Sequence, residues 1–253
     1  MTEATRVALL SDVHGNAVAL QAVLRELEGV QPDLLVFGGD LTWGPQPMET
    51  YALMAELDIP AVYVRGNAER ALFEAVAALE VGTGDGLRPR ERWLVARHSA
   101  ECMAFLAGFA ETATAEVAGL GSVLFCHGSP RSDEELVTFE TPEPRMRALL
   151  EGATTDVLVT AHTHVQFDRT IAGVRSVNPG SVGMPYEGRS GGAYWATLGP
   201  DVELRCTEYD LDEAVRQYRA TDDPLAEQMV VILLEPPTRA EVIADAEARE
   251  FAG

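Results

Sequence analysis

Five short apolar runs in this chain each end in polar residues of the kinds that hold metals. They are VALLS before Asp12, LLVFGG before Asp40, AVYVRG before Asn67, VLFC before His127 and VLVTA before His162. Short β-branched runs closed by Gly, Asn or Asp read as strand ends. In an open sheet covered by helices, polar residues gathered at the carboxyl ends of the strands face one crevice. The pattern predicts an α/β fold in which five strand exits converge on one site.

Four of the five histidines, His14, His127, His162 and His164, sit at those exits, in SDVHGN, CHGSP and AHTHV. On extended backbone, residues two apart share a side, so Asp12 with His14, and His162 with His164, can each chelate from one face. Histidine is the commonest transition-metal ligand, and carboxylates add charge that stabilises two cations about 3.5–4 Å apart. Asp40 is the best candidate for a bridging carboxylate. This is the ligand list of a two-metal hydrolase. His98 stands apart from it and reads as structure. Strand alternation turns Cys126 away from His127 and toward the core.

At this point the chain resembles the calcineurin-like metallophosphoesterase family, and its NPGSVG at 178–183 is similar to the small bacterial phosphodiesterase branch. The matching blocks, in order, are Asp12-Val13-His14, Gly39-Asp40, Gly66-Asn67, His127-Gly128 and His162-Thr163-His164. The resemblance implies a four-layer αββα architecture, two mixed β-sheets in a sandwich flanked by helices. It also implies one metal held by Asp12, His14 and His164, another by Asn67, His127 and His162, and Asp40 between them. Nitrogen and oxygen ligands without thiolate admit Mn, Fe, Zn, Ni or Co, with Mn or Fe preferred. Asp40, Asn67 and His127 are the expected catalytic residues. The implied reaction is attack on a phosphodiester, or a phosphomonoester, by a hydroxide bridging the two ions.

Two positions depart from the family pattern. Ala68 stands where relatives often carry a histidine that protonates the leaving group, and Ala161 replaces a glycine before His-Thr-His. Expected substrate contacts are Asn16, which reads equally well as a helix cap, Arg131, Tyr186 and Arg189. Tyr186 and Arg189 also read as plain turn chemistry. Alternatives in other classes are a phosphoprotein phosphatase, which needs a broad groove, and a catalytically silent metal-binding scaffold, against which the intact ligand set argues.

Composition narrows the partners. Among the 253 residues, Asp and Glu number 40 against 19 basic residues, all of them Arg, for a net charge of −21. That balance disfavours broad nucleic-acid binding, which needs a cationic surface, and leaves a small phosphate ester. The acidic stretches 208–213 and 241–250 read as solvated helix. No apolar run approaches a membrane span, MTEATRVALL lacks a basic segment before an apolar one, and three unpaired cysteines suit a reducing, cytoplasmic setting.

The layout reads β-α-β-α-β to about residue 65, with helices over 17–28 and 48–57, and then a helix-rich stretch. A hairpin over 113–126 turns at Gly119–Gly121, and a helix spans 143–151. Strands at 166–171, 174–178, 193–198 and 202–208 precede three further helices, one carrying the apolar PLAEQMVVILL that packs on the core or on a second subunit. We expect a single domain over 1–253. Segment 68–110 is its expected lid or specificity insertion, because it joins two metal-bearing loops and carries Arg70, Arg88, Arg90, Arg92, Arg97 and His98. The plainer reading pairs those arginines with Glu69, Glu74, Glu91 and Glu101.

Overall fold

The computed structural model describes residues 2–249, so the last residue of the acidic stretch 241–250 lies outside the described residues. Alternation along the strands builds the layers. In β2 (Val7–Leu10), Val7 and Leu9 enter one apolar cluster while Ala8 and Leu10 enter another. The same split separates Leu34 and Val36 from Leu35 and Phe37 in β3 (Leu34–Phe37). Such strands are buried on both faces, which is why they read as continuous apolar runs.

Two sheets result. The first orders β11 (Val202–Glu208), β10 (Gly192–Leu198), β2, β3 and β4 (Ala61–Tyr63), with β2, β3 and β4 mutually parallel. The second orders β1 (Thr2–Ala4), β5 (Thr112–Val117), β6 (Gly121–Cys126), β7 (Val157–Val159), β9 (Val174–Asn178) and β8 (Phe167–Ile171), with β6, β7 and β9 parallel. Val7, Leu9 and Val36 meet Val123, Phe125 and Val159 between the sheets. On the outer face of the first sheet, Phe37 and Trp195 pack with α1 (Ala17–Val30) and α2 (Pro47–Ala55). On the outer face of the second, Leu158 and Cys126 pack against Met146 and Leu149 of α6 (Glu143–Leu149). This is the expected αββα sandwich. The strand β1 was not expected. It pairs parallel to β5, across the sandwich from β2, and of its three residues only Ala4 is buried.

Segment 68–110 belongs to the helical layer. It comprises α3 (Asn67–Glu80), a 3-10 turn at Gly84–Gly86, α4 (Pro89–Arg97) and α5 (Ala100–Leu106). Leu72, Leu94, Cys102, Leu106 and Phe109 lie in the same cluster as Phe37 and Trp195. His98 is buried, with one ring nitrogen 2.7 Å from the Leu94 carbonyl and the other 2.9 Å from Thr42 Oγ1. Arg90 pairs with Asp223 at 2.8 Å, Arg97 with Asp222, and Arg88 with Glu91 at the start of α4. Arg92 donates to the Gly84 carbonyl.

The chain ends in α7 (Leu211–Arg219), α8 (Ala226–Leu234) and α9 (Arg239–Ala248). The stretch 208–213 starts at the end of β11 and becomes helical only at Leu211. Met229, Val230 and Leu233 of α8 pack on α7, while Val231 and Leu234 of the apolar PLAEQMVVILL stay exposed.

A packed layer makes a testable demand that a loosely held lid does not. Leu94 is fully buried, so Leu94→Ala should cost about 2–5 kcal/mol of unfolding free energy. Chemical denaturation measures this, and a loss under about 1 kcal/mol would mean that α4 rides loosely on the core.

Candidate metal centre

The loops that leave β2 and β3 run side by side. Asp12 N donates to the Gly39 carbonyl, His14 N to Asp40 and Gly15 N to Leu41, at 2.9–3.0 Å. On the other side, Val182 N donates to the Ser11 carbonyl and Gly183 N to that of Asp12. The Asp-Val-His loop is thereby clamped between the Gly-Asp loop and the Ser-Val-Gly loop. A Cβ on Gly183 would stand 1.7 Å from the Val13 carbonyl oxygen, so only glycine fits there.

Asp12, His14, Asp40, His162 and His164 all take left-handed backbone, with φ between 47° and 63°. Asp and His tolerate this region better than most residues. Asp12 with His14, and His162 with His164, therefore converge through left-handed turns and not through the extended alternation that their spacing suggested. The convergence is close. His164 Nε2 lies 3.1 Å from Asp12 Oδ1 and 3.2 Å from His14 Nε2. His14 Nε2 is 3.8 Å from Asp40 Oδ2, and His127 Nε2 is 3.5 Å from Asp40 Oδ1 and 3.0 Å from Asn67 Oδ1. Two clusters with metal-ligand spacing form, Asp12–His14–His164 and Asp40–His127–His162. All seven side chains expected as ligands are brought together.

The chemistry of the donor set fits cations. Nδ1 of His14, His127 and His164 each meets a backbone carbonyl, of Trp43 at 3.2 Å, Gly38 at 2.7 Å and Met184 at 2.7 Å. A proton held at Nδ1 leaves Nε2 to ligate, and all three Nε2 atoms point at the carboxylates. Asp12 Oδ1 is fully buried without a hydrogen-bond partner. Acceptor atoms facing one another at these distances repel unless positive charge lies among them.

Electrostatics separate the imidazoles. Burial, reinforced by the charge of His164, pushes His14 down to about 4, and burial with His127 does the same to His162. For His127, burial acts in the same direction, but the Asp40 carboxylate outweighs it and lifts the ring to about 10. Asp12 and Asp40 are held below the ordinary carboxylate range, because neighbouring imidazoles outweigh the effect of burial.

Glu69 is the functional residue that sequence reasoning placed wrongly, as a partner for surface arginines. It is buried, and its carboxylate accepts hydrogen bonds from the backbone amides of Asp40, Leu41 and Gly66 at 2.8–2.9 Å. Burial and the charge of Asp40 raise it to about 7. It locks the Asp40 loop onto the start of α3, where Ala68 N donates to Asp40 Oδ1 at 2.8 Å. The signal was present in Gly66-Asn67-Ala68-Glu69, the spacing of an acidic residue that reaches back over a helix start. Asn178, noticed only as part of a glycine-rich turn, ties the other side by donating to the Ala161 carbonyl and to Thr163 Oγ1.

The four residues expected at the substrate lie in different settings. Asn16 is fully buried, accepting from Ala19 N as the cap of α1 and donating to the Gly183 carbonyl. Arg131 forms a two-pronged pair with Glu135. It lines, with Arg65, Arg70 and His127, a cleft of about 330 Å³. Arg70 in turn binds Asp133, Glu74 and Glu134. Arg189 is exposed and pairs with Glu208. Tyr186 stacks on His164, ring centroids 4.6 Å apart and planes at 20°, and burial raises its hydroxyl to about 12.

This geometry agrees with comparisons to known proteins. The family model for the calcineurin-like phosphoesterase superfamily domain matches residues 5–199. The chain belongs to that superfamily, which is metal-dependent. Its structure is similar to that of a metallophosphoesterase from Sphaerobacter thermophilus, with 25% identity and a TM-score of 0.70 over 92% of this chain and all of that one. It is also similar in fold to a hypothetical protein from Pyrococcus horikoshii OT3, with 19% identity and a TM-score of 0.79 over 92% of this chain and 99% of that one. Comparison by sequence with curated proteins gave no match.

Two outcomes test the centre. A Cβ at residue 66 would stand 2.1 Å from Asp40 Oδ1. Gly66→Ala should therefore displace that carboxylate and lower metal affinity by about 10–100-fold, read as metal content after dialysis. Because His127 is raised to about 10, it carries a proton at neutral pH that a cation must expel. Binding should release about one proton from this residue, and apparent affinity should climb as pH rises toward 10. His14 and His162, pushed down to about 4, add nothing above about pH 5. Calorimetry in buffers of different ionisation enthalpy measures the release, and equal heats in all of them would refute it.

Proposed function

We propose that the protein is a dinuclear metal-dependent phosphodiesterase acting on small phosphate esters. Asp12, His14 and His164 would hold one ion and Asn67, His127 and His162 the other, with Asp40 between them and Mn or Fe preferred. The observation that carries this reading is the convergence of three Nδ1-pinned imidazoles and two carboxylates on one buried point. When bound, the metal pair supplies Lewis acidity and an activated water for in-line attack on phosphorus.

The chain's own residues set the conditions for that chemistry. Glu69 and the glycine at 66 hold Asp40 in place, and Asn67 contributes a neutral oxygen, which preserves positive charge for the substrate. Asn16 has both ends of its amide engaged, so Tyr186 and the Arg65–Arg70–Arg131 cleft are the better supported substrate surfaces. Through Arg70, the helical segment 68–110 would reach the substrate at one point. Among the described residues no helix is long and apolar enough to cross a membrane, and the three cysteines are free.

Ala68 is buried and offers no side-chain proton to a departing alkoxide. A positioned acid is typically worth about 10²–10⁴-fold. Metal-reconstituted protein should hydrolyse bis(p-nitrophenyl) phosphate at least about 100-fold faster than a dialkyl ester, and chelation should abolish both activities. Ala68→His with metals retained should raise alkyl-ester turnover. Equal wild-type rates on both esters would refute the leaving-group argument, and faster release from a phosphopeptide than from any diester would favour a phosphoprotein phosphatase.

A further inference from the structure

The C-terminal helix α9 crosses the opening beside His162. At its start Arg239 pairs with Glu187 at 2.8 Å, and Gly188 N donates to the Pro237 carbonyl. Near its end, Glu247 accepts from Thr138 Oγ1 at 2.6 Å and Thr141 Oγ1 at 2.7 Å. One anchor is on the loop after β9 and the other on the loop after β6. The helix is thus fixed at both ends as a wall.

Between this wall and the metal centre lies a chamber of about 310 Å³. Leu136, Tyr186, Pro237, Val242 and Ala246 give it an apolar lining, and His162 stands at its inner side. Its rim charges are already engaged: Arg249 pairs with Asp245, and Glu241 accepts from the amide and hydroxyl of Thr238. Among the described residues of the rim, no cation is left to seek an anion. The volume lies at the small end of ligand pockets, roughly 300–1,000 Å³, which suits a ring system.

We propose that α9 and Tyr186 flank a subsite for a planar, uncharged ring, aryl or nucleobase, on one arm of the phosphodiester. The inference rests on the phosphodiesterase reading, since the chamber opens onto His162 of the candidate centre. Tyr186 and Val242 line the same pocket as His162, so a phosphorus held at the centre would have one ester arm within reach of them. The family match ends at residue 199, before α9, so this wall is a property of the chain's C-terminal segment.

Two substrates with one leaving group isolate the other arm: bis(p-nitrophenyl) phosphate and methyl p-nitrophenyl phosphate. Wild type should favour the first. Val242→Trp, which fills the chamber from a half-buried position, should lower kcat/KM for the ring-bearing diester at least about tenfold, mainly through KM, and change the methyl ester less than about twofold. Val242→Asp, which puts a charge in the chamber, should do the same and guards against misfolding of the first variant. Calorimetric binding of phenylphosphonate and methylphosphonate to metal-loaded protein gives a readout without turnover, and only phenylphosphonate should weaken in the variants. Equal losses on both esters, or no change on either, overturn the inference while the phosphodiesterase reading stands. If wild type hydrolyses no ester, that reading falls and phosphonate binding decides the subsite. Binding of neither phosphonate overturns the subsite as well.

Discussion

The structure depends on holding five candidate metal ligands on left-handed backbone at the ends of buried strands. Non-glycine residues in sparsely populated regions cost of order 1–3 kcal/mol each, at the low end for Asp and His. Such a cost persists only where the surroundings over-determine the conformation. Here they do so through hydrogen bonds between loops: Asp12 to Gly39, His14 to Asp40 and Gly183 to Asp12 extend the clamping of neighbouring strands beyond the sheet. The two-sheet core behind them, filled by Val7, Leu9, Val36, Phe125 and Val159, makes that geometry rigid.

A second constraint follows from charge. Asp12, Asp40 and Glu69 bury three carboxyl groups within one small region, and uncompensated buried charge is expensive. Each is handled differently. Glu69 takes three backbone amides, Asp40 takes one amide and the imidazole of His127, and Asp12 faces His164 with one oxygen otherwise unpartnered. The graded compensation leaves Asp12 Oδ1 as the buried carboxylate oxygen without a hydrogen-bond partner, inside one of the two candidate metal clusters. A pocket arranged in this way suits a cation, because its acceptor atoms are held by the surrounding loops.

Most of the sheet and the whole candidate ligand set were legible in the sequence, for a local reason. Fully buried strands write continuous apolar runs, and a left-handed exit writes the short polar cluster that follows, as in VALLSDVH. Partners that depend on distant chain were not legible. β1 has one buried residue in three, so its pairing with β5 left no periodic mark. Glu69 looked like any acidic residue on a helix until the Asp40 loop was seen to fold onto it. Segment 68–110 read as a lid or specificity insertion because it joins two metal-bearing loops and its arginines were visible. The apolar positions that tie it to the core, Leu94 and Leu106 among them, were spread over three helices. The wall formed by α9 depends on Glu187 and Thr138, residues 52 and 109 positions from their partners.

The net charge of −21 bears on which phosphoester such a centre suits. Arginines around the opening do not supply a free positive surface: Arg65, Arg70, Arg131, Arg189 and Arg239 each face a carboxylate already. At physiological ionic strength charges interact over about 8 Å, so the acidic exterior opposes an approaching anion only near the surface, and attraction must come from cations inside the pocket. A phosphomonoester brings two negative charges against that exterior and a diester brings one. With an apolar chamber beside His162 and ion-paired arginines beside His127, much of the recognition would fall to uncharged substituents on the phosphate. On the proposed reading that division suits a diester, whose two arms would occupy the two sides while a single charge would meet the metals.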